Sequence, residues 1–446
     1  MTDLEPFRLT GSEALARFRS GELTVTAYAQ SLLARIDKRD SAVHAWAYLD
    51  PDYVLEQAAK LDAIPSEERG PLHGVAVGVK DIIYTKDMPT QHNSPIYEGD
   101  FPALDAGCVR ILRNAGALIF GKTHTAQFGA TSVCPPTRNP HNQKHSPGGS
   151  SSGSAAAVAD LHVPISLGTQ TGGSTIRPGS YNGIYAFKPT WNTVSRDGAK
   201  VFSLILDTIG FYSRSVADLQ LLATVFQLED DKTPEEEGEE PDFRLTGAKF
   251  AAVKTAAWPT ICKSSIAAFE KGIALLRAHG ATVELVDLPT EFDSVLKLHD
   301  IEMYSSGRVS FLPEYVSARE KLLPSIAGFV ENSNKYTKRE AAMALDEMAA
   351  LRPKFDRFAS KYAAVLTPTA SDVAPEGATG GNYAFSVTWT SLHVPVVNIP
   401  GFKGGEGLPI GLSLIASRYR DEHLLRVCRA VGEVFEAEGG WTRNMP

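Results

Sequence analysis

The chain has 446 residues, 43% of them hydrophobic and 22% charged, with a net charge of −8. That is the composition of an ordinary globular protein, long enough to bury a large core. The acidic balance, with no Lys/Arg cluster interleaved with aromatics, argues against nucleic acid as a partner, and no apolar run nears the ~20 residues of a membrane span.

The first residues, MTDLEPFRLT, are polar and acidic, unlike a signal or transit peptide. Residues 11 to 37 read as helices, because Leu15 and Phe18, then Leu32, Leu33 and Ile36, recur at helical spacing. HGVAVGVKDII (73 to 83) is β-branched and bounded by glycine, which predicts a buried strand. A helix, AGCVRILRNAG, then feeds a strand, ALIFG, and the order repeats in SAAAVADLHVPISLG. Further on, KFAAVKT (249 to 255) reads as a strand, SIAAFEKGIALLRAHG (265 to 280) as a helix ended by Gly280, and ATVELVDL as a strand. This alternation predicts an α/β fold with a largely parallel sheet covered by helices on both faces. EDDKTPEEEGEEPD (229 to 242) interrupts it and reads as a solvated surface loop. Cys108, Cys134, Cys262 and Cys428 form no C-x-x-C pair, which suggests free thiols in a reducing, cytoplasmic setting.

The chemistry concentrates between Ser146 and Ser180, where eight serines stand among glycines with His162 as the lone histidine. Gly149 to Gly153 fits the G-x-S-x-G pattern, but that elbow needs a strand directly before the serine. The preceding TRNPHNQKHSPG is rich in turn formers, so Ser151 is rejected as a hydrolase-elbow nucleophile. His141 and His145 have the i, i+4 spacing of a zinc helix, but they lie between Pro140 and Pro147 without H-E-x-x-H. No metal site is expected there.

Thr171-Gly172-Gly173-Ser174 follows the strand VPISLG, so successive backbone N–H groups can face one pocket. Such a nest suits an oxyanion beside a serine nucleophile; a plain strand-to-helix turn is the alternative. A phosphate loop would need Gly-Lys-Ser/Thr, which is missing. Lys80, flanked by apolar residues in VAVGVKDII, is either a lysine snorkelling from a strand end or a base whose burial lowers its pKa toward neutrality. Its company with two Gly-Gly-Ser turns favours the base.

These segments resemble the amidase-signature family. The resemblance rests on GVAVGVKD (74 to 81), GKTHTAQFG (121 to 129), SPGGSSSGSAAAVA (146 to 159), GTQTGGSTIRP (168 to 178) and FKPT (187 to 190). It continues through LDTIGFYSRSVADL (206 to 219), VLTPTA (365 to 370) and TSLHVPVVNIPGF…GLPIGLSLIA (390 to 416), and so covers nearly the whole chain. Ser150 and Ser174 keep the family's 24-residue separation. The resemblance implies Ser174 as nucleophile, Ser150 as a serine beside a cis peptide, Lys80 as base, and an oxyanion hole from the N–H groups of Thr171, Gly172, Gly173 and Ser174. Asp207 is expected to brace the catalytic loops. It also implies one α/β domain over residues 1–446, with a mixed, mostly parallel sheet between helix layers, and amide hydrolysis through an acyl-enzyme, with neither cofactor nor metal.

Several positions depart from the common pattern. Gln170 stands where many members have Asp, and Arg177 lies three residues after Ser174 rather than two. In both features the chain is similar to the malonamidase-like branch, which implies that Arg177, with Gln170 beside it, binds the carboxylate of a short dicarboxylic monoamide such as malonamate. An internal salt bridge fixing the turn is the competing role for Arg177. His124 and Ser152, in place of the usual Asn and Gly, are expected to reshape the pocket rim. The expected partner is a small amide, with no membrane and with a homodimer left open. Larger acyl or aryl amides, esters, and an amidotransferase subunit working with a partner are the alternatives; a non-catalytic scaffold is disfavoured by intact Lys80, Ser150 and Ser174.

Overall fold

Eleven strands form one sheet in the computed structural model, which describes residues 5–230 and 242–443. In chain order they are β1 (Trp46–Tyr48), β2 (Ala76–Lys80), β3 (Leu118–Thr123), β4 (Ile165–Gln170), β5 (Tyr185–Lys188) and β6 (Thr208–Ser213). The second half supplies β7 (Lys249–Lys254), β8 (Thr282–Asp287), β9 (Ala364–Pro368), β10 (Val396–Lys403) and β11 (Pro409–Ile415). Their spatial order is β1-β3-β2-β4-β6-β5-β10-β11-β9-β7-β8, so strands from both halves share one sheet.

The strands are apolar throughout because both faces are covered. Val77, Val79, Ile119, Phe250 and Ala252 pack into one core, and Ala76, Leu118, Phe120, Ala251 and Val253 into the other. Successive residues of a strand thus feed opposite cores, as the two-residue side-chain period requires. Helices Gly107–Asn114, Lys263–Ala278 and Asp421–Glu438 cover the first face; Val25–Val43, Ser152–Ala159 and Val295–Ser310 cover the second. The expected α/β class, with a mixed sheet between helix layers, is what the chain adopts.

Parallel pairing is less extensive than the alternation suggested. It joins β2 to β3 and β4, and β7 to β8 and β9. The other six pairings, which include all those between β4 and β9, are antiparallel. The reason lies in the connections: β10 returns as β11 after a short turn at Gly405–Gly407, and no helix longer than that intervenes between β5 and β6. Parallel neighbours need a long crossover, whereas antiparallel neighbours do not.

The acidic stretch expected as a loop lies mostly outside the described residues, at 231–241. Its first aspartate, Asp230, is not solvated: it is buried, and its carboxylate accepts the backbone N–H groups of Glu422 and His423 at 2.9 Å each. It therefore satisfies two orphan donors in the first turn of the C-terminal helix.

Candidate active site

Because β2 and β4 run parallel, Lys80 and Gln170 end at the same edge of the sheet. In open α/β sheets the carboxyl ends of parallel strands are where ligands gather. Lys80 shares its strand face with Ala76 and Gly78, the face against which the all-buried helix Ser152–Ala159 packs. Small residues let that helix approach closely, and the loop entering it reaches the lysine.

Lys80 is completely buried. Its Nζ donates to Ser150 Oγ at 2.8 Å, Ser151 Oγ at 2.9 Å and Thr169 Oγ1 at 2.7 Å. Burial lowers its pKa from 10.5 to about 7, partly opposed by the Asp207 carboxylate, because nothing nearer compensates the charge. The peptide bond Gly149–Ser150 is cis. Sequence reasoning missed Thr169 and dismissed Ser151 as a nucleophile without foreseeing that it holds the lysine. Ser151 is wholly buried and follows a loop rather than a strand, so the rejected elbow is indeed not formed.

Ser174 sits partly exposed in the turn between β4 and the helix Ile176–Asn182. Among the described residues its hydroxyl has no hydrogen-bond partner, so Ser150 and Ser174 are not bonded to each other in this state. Catalytic hydrogen bonds commonly close only once substrate is bound.

The turn's backbone is held from behind. The carbonyl of Thr171 accepts from His299 Nε2 at 2.9 Å, that of Gly172 from Thr390 Oγ1 at 2.6 Å, that of Gly173 from Arg177 N at 3.2 Å, and that of Ser174 from the Tyr212 hydroxyl at 3.1 Å. In a planar trans peptide the following N–H points opposite to the carbonyl. The amides of Gly172, Gly173 and Ser174 are thereby turned away from these anchors, and among the described residues they have no partner. Glycine is required at 173, where a Cβ would lie 2.9 Å from Ser386 and from the Cβ of Tyr383.

Gln170 is part of this scaffold rather than a ligand contact. Fully buried, it accepts the amides of Thr175 and Ile176 at 3.0 Å on Oε1 and donates from Nε2 to Thr390 at 3.0 Å. Both ends of the amide are thus engaged, Oε1 by the turn and Nε2 by Thr390 on the helix Ala384–Ser391, in place of the substrate contact expected of it. Asp207, just before β6, accepts from Thr171 Oγ1 at 2.6 Å and from the amides of Phe202 and Ser203 at 2.8 and 3.1 Å. It braces the turn as expected, and burial raises its pKa to about 6.

Arg177 is buried, and among the described residues it forms no salt bridge. Its guanidinium donates to the carbonyls of Gly381 (2.9 Å) and Gly149, lies 5.7 Å from the centre of the Tyr383 ring, and keeps a buried Nε without a partner. The internal salt bridge weighed for it is therefore not made. Ser152 does not shape a rim, being buried beneath Gly149, while His124 is half-buried and its backbone pairs with Ala45 and Gly153. His141 and His145 diverge, one ring bonding the carbonyl of Asn182 and the other that of Ala374. His145 also stands with exposed Glu376 and Glu406 in a group whose ligand-type atoms lie within 4.8 Å of one another.

The sequence profile of the family described as Amidase matches residues 27–425. The chain belongs to the amidase family. Among curated relatives of this amidase-family hydrolase, a glutamyl-tRNA(Gln) amidotransferase subunit from Symbiobacterium thermophilum is 33% identical, the match covering 94% of this chain and 95% of that one. Among solved structures, the peptide amidase of Stenotrophomonas maltophilia is 27% identical with a TM-score of 0.78, covering 96% of this chain and 97% of that one. The corresponding glutamyl-tRNA(Gln) amidotransferase subunit from Thermotoga maritima is also 27% identical, with a TM-score of 0.77 and coverage of 97% and 96%. The family expectation is thus met, whereas the malonamidase-like branch is not singled out by these relatives. Among the described residues no helix is long and apolar enough to cross a membrane.

Proposed function

We propose that this amidase-family chain hydrolyses a small primary amide that carries a carboxylate, through an acyl-enzyme on Ser174. The observation that carries the reading is the pairing of Lys80 with Ser150 beside a turn whose three unpartnered amides flank Ser174. Neutral Lys80 takes the proton of Ser150 as Ser150 takes that of Ser174, and the Ser174 oxygen attacks the amide carbon. The oxyanion rests on the amides of Gly172, Gly173 and Ser174. The lysine proton then returns through Ser150 to the leaving nitrogen, and ammonia departs. Water cleaves the ester by the same relay, restoring the Ser174 hydroxyl. Residues 1–446 act as one domain, and the four free cysteines suit a cytoplasmic setting.

Because the lysine works only when neutral, kcat/KM should fall as pH drops below about 7, the value to which burial brings Lys80. A profile flat between pH 5.5 and 8 would remove Lys80 as the titrating base.

Arg177 supports the carboxylate preference, because a buried guanidinium that has no counter-ion among the described residues and keeps a spare Nε–H favours an anionic ligand. Ammonia release from malonamate should exceed that from neutral amides of equal length by at least ~10-fold, the usual worth of one charge-assisted pair. Arg177→Lys should raise KM for the acid substrates and leave the neutral ones little changed. Equal rates on both classes would make Arg177 a purely structural residue.

A second reading has support from the curated relatives: an amidotransferase subunit that releases ammonia inside an assembly. Glutamine is itself a carboxylate-bearing primary amide, so the two readings share a site. They separate on whether the isolated chain turns over short amides or stays silent until partner subunits are added.

A further inference from the structure

His299 lies on the helix Val295–Ser310, 128 residues along the chain from the turn it touches. The residue is 1% exposed, and burial holds its pKa below the ordinary value, so it stands neutral. Against a carbonyl oxygen Nε2 must carry the hydrogen, which makes His299 the donor to Thr171. One turn further on, Glu302 accepts from Ser203 Oγ at 3.1 Å and also binds the Ser306 hydroxyl. The amide of Ser203 in turn meets Asp207, which holds the Thr171 side chain. Thr171 is therefore gripped twice, by its carbonyl and by its hydroxyl, in a closed circuit running through the helix and the 202–207 loop.

We propose that His299 is a positioning residue that aims the Gly172 N–H into the oxyanion nest by holding the Thr171 carbonyl from behind. The inference rests on the reading of that nest as the oxyanion site. A trans peptide cannot turn its N–H without turning its carbonyl, so one hydrogen bond on the far side sets the direction of the amide on the near side. The effect is felt where charge develops on the substrate oxygen, and binding of the ground state is little affected.

The test compares His299→Gln, whose terminal amide reaches the place of Nε2, with His299→Asn, whose amide falls short, and with His299→Leu. The full-length chain is assayed for kcat and KM on the best amide of the substrate panel, and for affinity toward an alkylboronic acid, which adds to a serine as a tetrahedral anion. His299→Asn and His299→Leu should lower kcat about 10²-fold, the scale of losing one oxyanion donor. Boronate affinity should fall by a similar factor, while KM stays within about threefold, and His299→Gln should recover most of both. Thermal melting confirms that each variant is folded. The proposal is overturned if folded His299→Asn keeps kcat and boronate affinity within threefold of the parent, or if His299→Gln is no better than His299→Asn. Ser174→Ala separates the two readings: boronate binding that survives it shows that the nest reading itself has failed, whereas binding lost there and retained in His299→Asn condemns the role of His299 alone.

Discussion

Replacing Ser174 with alanine is expected to reduce ammonia release by about 10⁶-fold, the order seen when a serine nucleophile is removed and only binding and the oxyanion site remain. Labelling by a serine-directed phosphonate should vanish with it. The fold should not suffer, since the hydroxyl is partly exposed and, among the described residues, makes no hydrogen bond. Substitutions of that kind usually shift stability by no more than about 0.5 kcal/mol. The backbone of residue 174 remains in place, because its carbonyl is held by Tyr212 and the following amide by Gln170. Activity retained in Ser174→Ala, with melting unchanged, would put the nucleophile elsewhere among the serines of 150–154.

Lys80→Met carries the second large effect. Turnover should fall by about 10²- to 10⁴-fold, the range assigned to a general base, with the nucleophile still in place. Methionine matches the lysine stem in length and removes a charge that the site leaves poorly compensated. Stability then reports the same group by an independent route. The folded chain releases the lysine proton at about pH 7, whereas the unfolded chain holds it to about 10.5. Between those values the unfolded state binds more protons, so rising pH stabilises the wild type by up to about 1.4 kcal/mol per unit. Below pH 7 both states carry the charge, and its burial weighs fully against folding. Lys80→Met lacks this dependence, so its stability relative to wild type should be greatest at acid pH and decline above 7. A difference independent of pH from 6 to 10 would contradict a lysine with a depressed pKa.

The division of labour in the site follows the reach of each interaction. His299 and Thr390 bear on one turn from 128 and 218 residues along the chain, and Gln170 joins that turn to Thr390 across 220 residues. Gln170 lies four residues before Ser174, and the resemblance to the malonamidase-like branch implies a ligand contact for it. Its carboxamide instead faces inward, because two amides at the start of the helix Ile176–Asn182 need an acceptor. Nothing near His299 in the chain marks it as part of the site; the helix packing against the turn brings it there.

Local pattern by itself determined the strand that carries Lys80, the glycine pair before Ser174 and the alternation of strands with helices. Those features depend on neighbours one to four residues apart, which apolar periodicity and glycine placement record directly. Only the tertiary structure decided strand direction in the antiparallel centre of the sheet, the three hydroxyls around Lys80, the lack of a carboxylate opposite Arg177 and the anchors behind the turn. Side-chain periodicity is the same whichever way a strand runs, and a hydrogen bond between distant segments leaves no trace in the spacing of either one.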